Sequence, residues 1–208
     1  MFVVLTLGIL LISATGFTGD DPEFLLKQLE NKYDGIHDAS VTFTRHVVFG
    51  VTKAEQSFSG KLLMKKGNKY RIELEDQTIV TDGKSVWSFM KINNQVFIDK
   101  YKEDPQSFSP DKVLVNVPQH YTAAILGKEK NQGHETSILK LMPIDPKANI
   151  QWMKVWVDDD RLMKKIQVLD ISDNLTTYFI ETIKINTGLN DSQFQFTPPN
   201  DVEVIDLR

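Results

Sequence analysis

Residues 57–75 read SFSGKLLMKKGNKYRIELE, and the period of this stretch decides the fold. Phe58, Gly60, Leu62 and Met64 alternate with Ser57, Ser59, Lys61, Leu63 and Lys65. Tyr70, Ile72 and Leu74 then alternate with Arg71, Glu73 and Glu75. Strict alternation is the mark of a strand with one buried and one wet face. Lys66-Gly67-Asn68 between the two runs is a turn signal, so the stretch reads as an antiparallel pair.

The same period extends outward in both directions. Upstream, Val41 and Phe43 alternate with Thr42 and Thr44. Downstream, Asp82-Gly83 is a hairpin signal because both residues tolerate a positive φ. Asn93-Asn94 does the same between Trp87–Phe89 and Val96–Ile98. Asp158-Asp159-Asp160 and Ser172-Asp173-Asn174 bound later strands around 153–157, 166–169 and 176–183. Many strands joined by tight turns predict a mainly β chain, as an antiparallel barrel or a strongly curved sheet.

Two segments break the pattern. Before the strands, Asp21 is a helix N-cap, Pro22 suits the first helical position, and Glu23 suits the positive helix end. Leu25, Leu26, Leu29 and Tyr33 form one apolar stripe, and Gly35 ends the helix. Between the strands, residues 104–127 turn to Pro, Ser, Gln and Ala. Ser109-Pro110-Asp111 opens a short helix through about Val115. A second is expected after Pro118, with Tyr121, Ile125 and Leu126 on its apolar side and Gly127 as its cap. The two short helices are either a crossover connection or a cover over one face of the sheet.

Residues 1–19 carry no charged side chain, and Val3 to Ile12 form an apolar run of signal-peptide length. Ala14 and Gly16 have cleavage-site spacing, so residues 1–16 read as a signal peptide, with Gly19 as another end. Residues 17–208 then form a single domain of the exported protein. The chain contains no cysteine. That excludes disulfides, thiolate metal sites and acylation on an N-terminal cysteine. The net charge of −4 argues against a nucleic-acid partner.

Catalytic and cofactor motifs are lacking. His37, His46, His120 and His134 form no close metal-ligand pair, and there is no GxSxG, Walker or GxGxxG motif. The acidic triplet 158–160 and the pair Glu73/Glu75 read as a solvated turn and a wet sheet face. No cofactor is implied, and a binding protein is favoured over an enzyme. What stands out is the apolar inventory, with 12 Phe, 6 Met and 3 Trp. Phe43, Leu62, Met64, Tyr70, Ile72, Leu74, Trp87 and Phe89 are candidates to share one face. That face is either an ordinary core or the lining of a cavity for an apolar ligand. Methionine suits adaptable apolar surfaces.

Three groups of residues resemble the LolA family of periplasmic lipoprotein carriers. Ser40-Val41-Thr42-Phe43, Phe58-Ser59-Gly60-Lys61-Leu62 and Tyr70-Arg71 form the first. Val80-Thr81-Asp82-Gly83-Lys84-Ser85-Val86-Trp87 is the second, and Phe194-Gln195-Phe196-Thr197-Pro198-Pro199 with Val202–Ile205 is the third. The resemblance implies an unclosed antiparallel β-barrel with an N-terminal helix and short lid helices over a hydrophobic cavity. The eight apolar residues would line it, and Val113, Leu114, Tyr121, Ile125 and Leu126 would belong to the lid. It further implies a monomeric periplasmic carrier for acylated outer-membrane lipoproteins. Its partners would be an inner-membrane ABC transporter of the Lol system and a LolB-type receptor. The alternative is a lipid- or lipoprotein-binding sensor on the same fold. Where the family often has a lid-latching Arg followed by Pro, this chain has Lys66-Gly67. Lysine lacks the planar fork of donors, so a latch at Lys66 would be weaker.

Overall fold

A computed structural model describes residues 21–102, 121–131 and 133–208. The expected signal peptide and the first insert helix, with Val113 and Leu114, lie outside the described residues. Helix α1 spans Pro22–Asp34 and is capped as its sequence predicts. The Asp21 carboxylate accepts from the N–H groups of Glu23 and Phe24. Leu25, Leu26, Leu29 and Tyr33 are its buried side chains.

Twelve strands follow: β1 (Asp38–Val48), β2 (Glu55–Lys65), β3 (Lys69–Leu74), β4 (Gln77–Asp82), β5 (Ser85–Met90), β6 (Gln95–Lys100), β7 (Tyr121–Asn131), β8 (His134–Pro143), β9 (Ile150–Val157), β10 (Met163–Asp170), β11 (Leu175–Ile185) and β12 (Glu203–Asp206). They make one sheet in the order β12-β6-β5-β4-β3-β2-β1-β11-β10-β9-β8-β7. The two outermost strands are not joined, so the barrel is unclosed. Pairing is antiparallel except for β12, which runs parallel to β6. The turns are the expected ones. Gly83, between β4 and β5, has φ 88, a region in which an L side chain is strained.

One expected element is different. Tyr121, Ile125 and Leu126 lie in strand β7, not in a second insert helix. The spacing of four between Tyr121 and Ile125 fits a period of two as well as a helical one. Pairing with β8 decides the matter. Tyr121, Ala123 and Ile125 stand opposite Pro143, Leu141 and Leu139 and pack on the core. Leu126 points away and is exposed, and Gly127 sits at a β-bulge instead of a helix end.

Cross-strand partners share a face, so the register sorts the side chains into an inner and an outer layer. On the inner face one cluster joins α1 to both halves of the sheet. It runs from Val41, Phe43, Leu62 and Ile72 to Leu139, Leu141, Val155, Ile166 and Tyr178. Phe43 meets Tyr178 edge to face at 5.9 Å. Gly60 makes room for that ring, since a Cβ there would stand 2.7 Å from Phe43 Cζ and from Leu74 Cδ2. The Tyr33 hydroxyl accepts a hydrogen bond from the Met163 N–H at 2.9 Å, tying α1 to the start of β10. Burial pushes that hydroxyl's pKa up, so it stays protonated.

Tyr33→Phe removes the acceptor and leaves the buried Met163 N–H unsatisfied. The expected loss, read by urea unfolding, is about 1–3 kcal/mol with an unchanged m-value. A variant as stable as the parent would show that this bond does not hold α1 to the sheet.

Candidate functional site

Among the described residues the inner face divides into a closed part and a half-buried part. Phe43, Leu62 and Ile72 are 1%, 0% and 2% exposed, so they are close-packed core beneath α1. Met64, Tyr70, Leu74 and Ile79 pack against that core but remain half-buried. From them the inner face continues across β5 and β6 through Val86, Met90 and Phe97, all half-buried. At one end of this strip is a groove of about 510 Å³, lined by Val86, Ser88, Phe97, Asp99, Lys100, Lys102 and Leu207. Pockets of about 300–1,000 Å³ are of the size that holds small ligands. At the other end is a hollow of about 400 Å³, lined by Phe58, Glu75, Asp76, Lys91 and Ile92.

Two expected lining residues are elsewhere. Ile72 pairs with Ile79, and the next residue, Val80, pairs with Trp87. One step along a strand reverses the face, so Trp87 and Phe89 lie on the outer side. There they form a second apolar layer with buried Val80, Val96 and Ile98. The tail covers it: Phe194 is fully buried, and the Phe196 ring stands 6.1 Å from Phe89. Their alternation does not run on in phase with that of β3, because the hairpin turns reset it.

The tail is held by charge. Asp191 accepts from Lys65 and Lys69, both at 2.7 Å, and these bonds hold its pKa at about 2. Upstream, Asp38 is buried at the start of β1. Burial alone would raise its pKa. The N–H groups of Thr187 and Gly188 and the Thr187 hydroxyl outweigh burial and hold it below the ordinary carboxylate range.

Lys66 does not contact a lid among the described residues. Its ammonium donates to the Asp34 carbonyl at 3.0 Å, at the end of α1. A cation there complements the negative helix terminus. Glu73 lies on the outer face beside Arg71, at 2.6 Å. Asp158 of the acidic turn pairs with Lys164 and accepts from the Leu162 N–H. His46 pairs with Glu55. Among the described residues no three His, Asp or Glu side chains gather as a metal site.

Several inner-face residues were missed from sequence, namely Leu139, Leu141, Met153, Val155 and Ile166. The alternation of Ile138, Lys140 and Met142 with Leu139 and Leu141 was the available signal. Arg45 was passed over, and Phe58, read on the face of Leu62 and Met64, was not counted among the lining residues. They stand opposite each other on β1 and β2, on the inner side.

The sequence profile of LolA, outer membrane lipoprotein carrier protein, matches residues 34–197. An outer-membrane lipoprotein carrier protein of Histophilus somni strain 2336 is 29% identical over 187 residues, covering 88% of each chain. Another, from Haemophilus influenzae strain Rd, is 27% identical over 184 residues, covering 87% of this chain and 86% of its own. Among solved structures, an uncharacterized conserved protein from Thermus thermophilus shares the fold with a TM-score of 0.57 at 13% identity. That match covers 88% of this chain and 98% of the other.

The outer layer generates a direct expectation. Phe89→Ala and Phe196→Ala, combined in a double-mutant cycle, should show a coupling of about 0.5–1.5 kcal/mol. Strictly additive losses would mean that the tail does not cover β5.

Proposed function

Since this chain belongs to the LolA family, we propose that it is a lipoprotein carrier, shielding acyl chains on the half-buried part of its inner face. The observation that carries this reading is the half-buried apolar strip from Met64 and Tyr70 to Phe97, beside a core that is already packed. An ordinary core would leave no such strip. In this reading Met64, Tyr70 and Leu74 meet the acyl chains directly. Phe43, Leu62 and Ile72 form the floor that sets the curvature. Tyr121 and Ile125 extend the apolar face at the far edge.

The energetics suit transfer rather than storage. Moving a methylene from water into an apolar site gains about 0.8 kcal/mol. The cargo begins and ends in lipid, however, so the site has only to compete with hydrocarbon. A half-open strip does this without trapping the chains, and the flexible Met64 and Met90 adapt to chains of different length. No helix among the described residues is long and apolar enough to cross a membrane. The apolar leader expected at residues 1–16 supports work in the periplasm. Loading from an ABC transporter of the Lol system and delivery to a LolB-type receptor complete the proposed route. The role is binding and release, not catalysis.

Photo-crosslinking tests the reading residue by residue. A crosslinker at Met64 should capture the acyl chains of a lipoprotein, and one at Trp87 should not. Capture at Trp87 without capture at Met64 would place the cargo on the wrong face and overturn the proposal.

A further inference from the structure

One polar side chain on the inner face lacks the partners that the rest of the structure supplies. Arg45 lies on the same face as Val41 and Phe43, directly opposite Phe58 of β2 and Tyr178 of β11. Its guanidinium sits 5.9 Å from the centre of the Phe58 ring. Among the described residues its Nε is the one buried side-chain nitrogen or oxygen without a hydrogen-bond partner. No carboxylate among them forms an ion pair with it. A buried donor left unmade costs stability; with no protein acceptor on Nε and no ion pair, the half-buried guanidinium keeps its outer N–H groups for a ligand. The side chain as a whole is half-buried, and Phe58, on which it rests, also lines the 400 Å³ hollow at this end of the sheet.

The surroundings narrow the class of acceptor. Glu75 and Asp76 line the same hollow. Lys91 lines it too, with its ammonium held by the Leu74 and Glu75 carbonyls. Two carboxylates against this one lysine still disfavour an incoming anion, and a neutral carbonyl oxygen meets no such penalty. Phe58 and Ile92 supply the apolar wall that the adjoining chains need.

We propose that Arg45 is a specificity residue that donates to an ester carbonyl oxygen at the glycerol head of the bound acyl lipid. This rests on the carrier reading and adds to it. The apolar strip holds the chains without regard to their origin, whereas Arg45 fixes where the head lies and selects acyl esters over plain hydrocarbon.

The test compares two probes with the same hydrocarbon length: a diacylglycerol, with two ester carbonyls, and the matching dialkylglycerol ether, with none. The wild-type protein should bind the ester about tenfold more tightly, the strength expected of one charged hydrogen bond. Arg45→Met should abolish that preference and leave ether binding unchanged. Arg45→Lys, which keeps a charged donor, should retain part of it. Thermal melting checks the fold, and Arg45→Gln replaces the Met variant if that one does not fold. Equal binding of ester and ether by the wild type, or a preference that survives in Arg45→Met, overturns the assignment. A third probe, a phosphatidylglycerol, distinguishes the other acceptor: a loss confined to it means a phosphate site and also overturns the carbonyl assignment. Failure of the wild type to bind any of the three would instead overturn the carrier reading itself.

Discussion

An open sheet cannot bury its own inner face, and helix α1 is what makes this one fold. Leu25, Leu26, Leu29 and Tyr33 enter a cluster that includes strands from both halves of the sheet. The helix therefore acts as a strut across the curve. Its ends are fastened at separate places: Asp21 caps the start, Lys66 meets the final carbonyl, and Tyr33 and Gln28 bond to Met163 and Arg161 beyond β9. Removing such a strut would free the two halves to move apart. Among the described residues α1 fills one part of the curve only.

The outer face solves the same problem by other means. On one half the C-terminal segment buries Phe194, sets Phe196 beside Phe89 of β5 and then adds β12 beside β6. Asp191, bridging Lys65 and Lys69, holds this segment to the hairpin of β2 and β3. The other half keeps a wet face. There Lys165 lies 3.8 Å over Trp156, whose indole N–H donates to Glu129. The tail is thus a structural cover of the outer face.

Much of this was legible in the sequence. The helix and its caps were clear, because Asp21-Pro22 and the apolar stripe report on local geometry. The strands of residues 57–75 were clear because one face is mostly polar and the alternation is clean, although Leu63 on that face is buried. The face of Trp87 and Phe89 was not legible. It depends on how the turns after β3 and β4 set the register, and both faces there are apolar. The strand at Tyr121 was misread because its spacing of four suits helix and strand alike, and only the partner strand β8 decides between them. The candidate site was half legible: Met64, Tyr70 and Leu74 lie where the alternation puts them. Whether Phe43, Leu62 and Ile72 line a space or fill a core depends on α1, and packing distance is not written in a local pattern.

In the proposed reading the acyl chains meet an apolar strip beside a finished core, on the side of the sheet opposite the tail. The most direct measurement is native mass spectrometry of the protein isolated from the periplasm of cells making acylated lipoproteins. The account predicts a fraction carrying the added mass of an acylated polypeptide, lost when the acyl groups are absent. Protein that emerges with no acyl-bearing species bound, from cells in which lipoproteins are abundant, would contradict it.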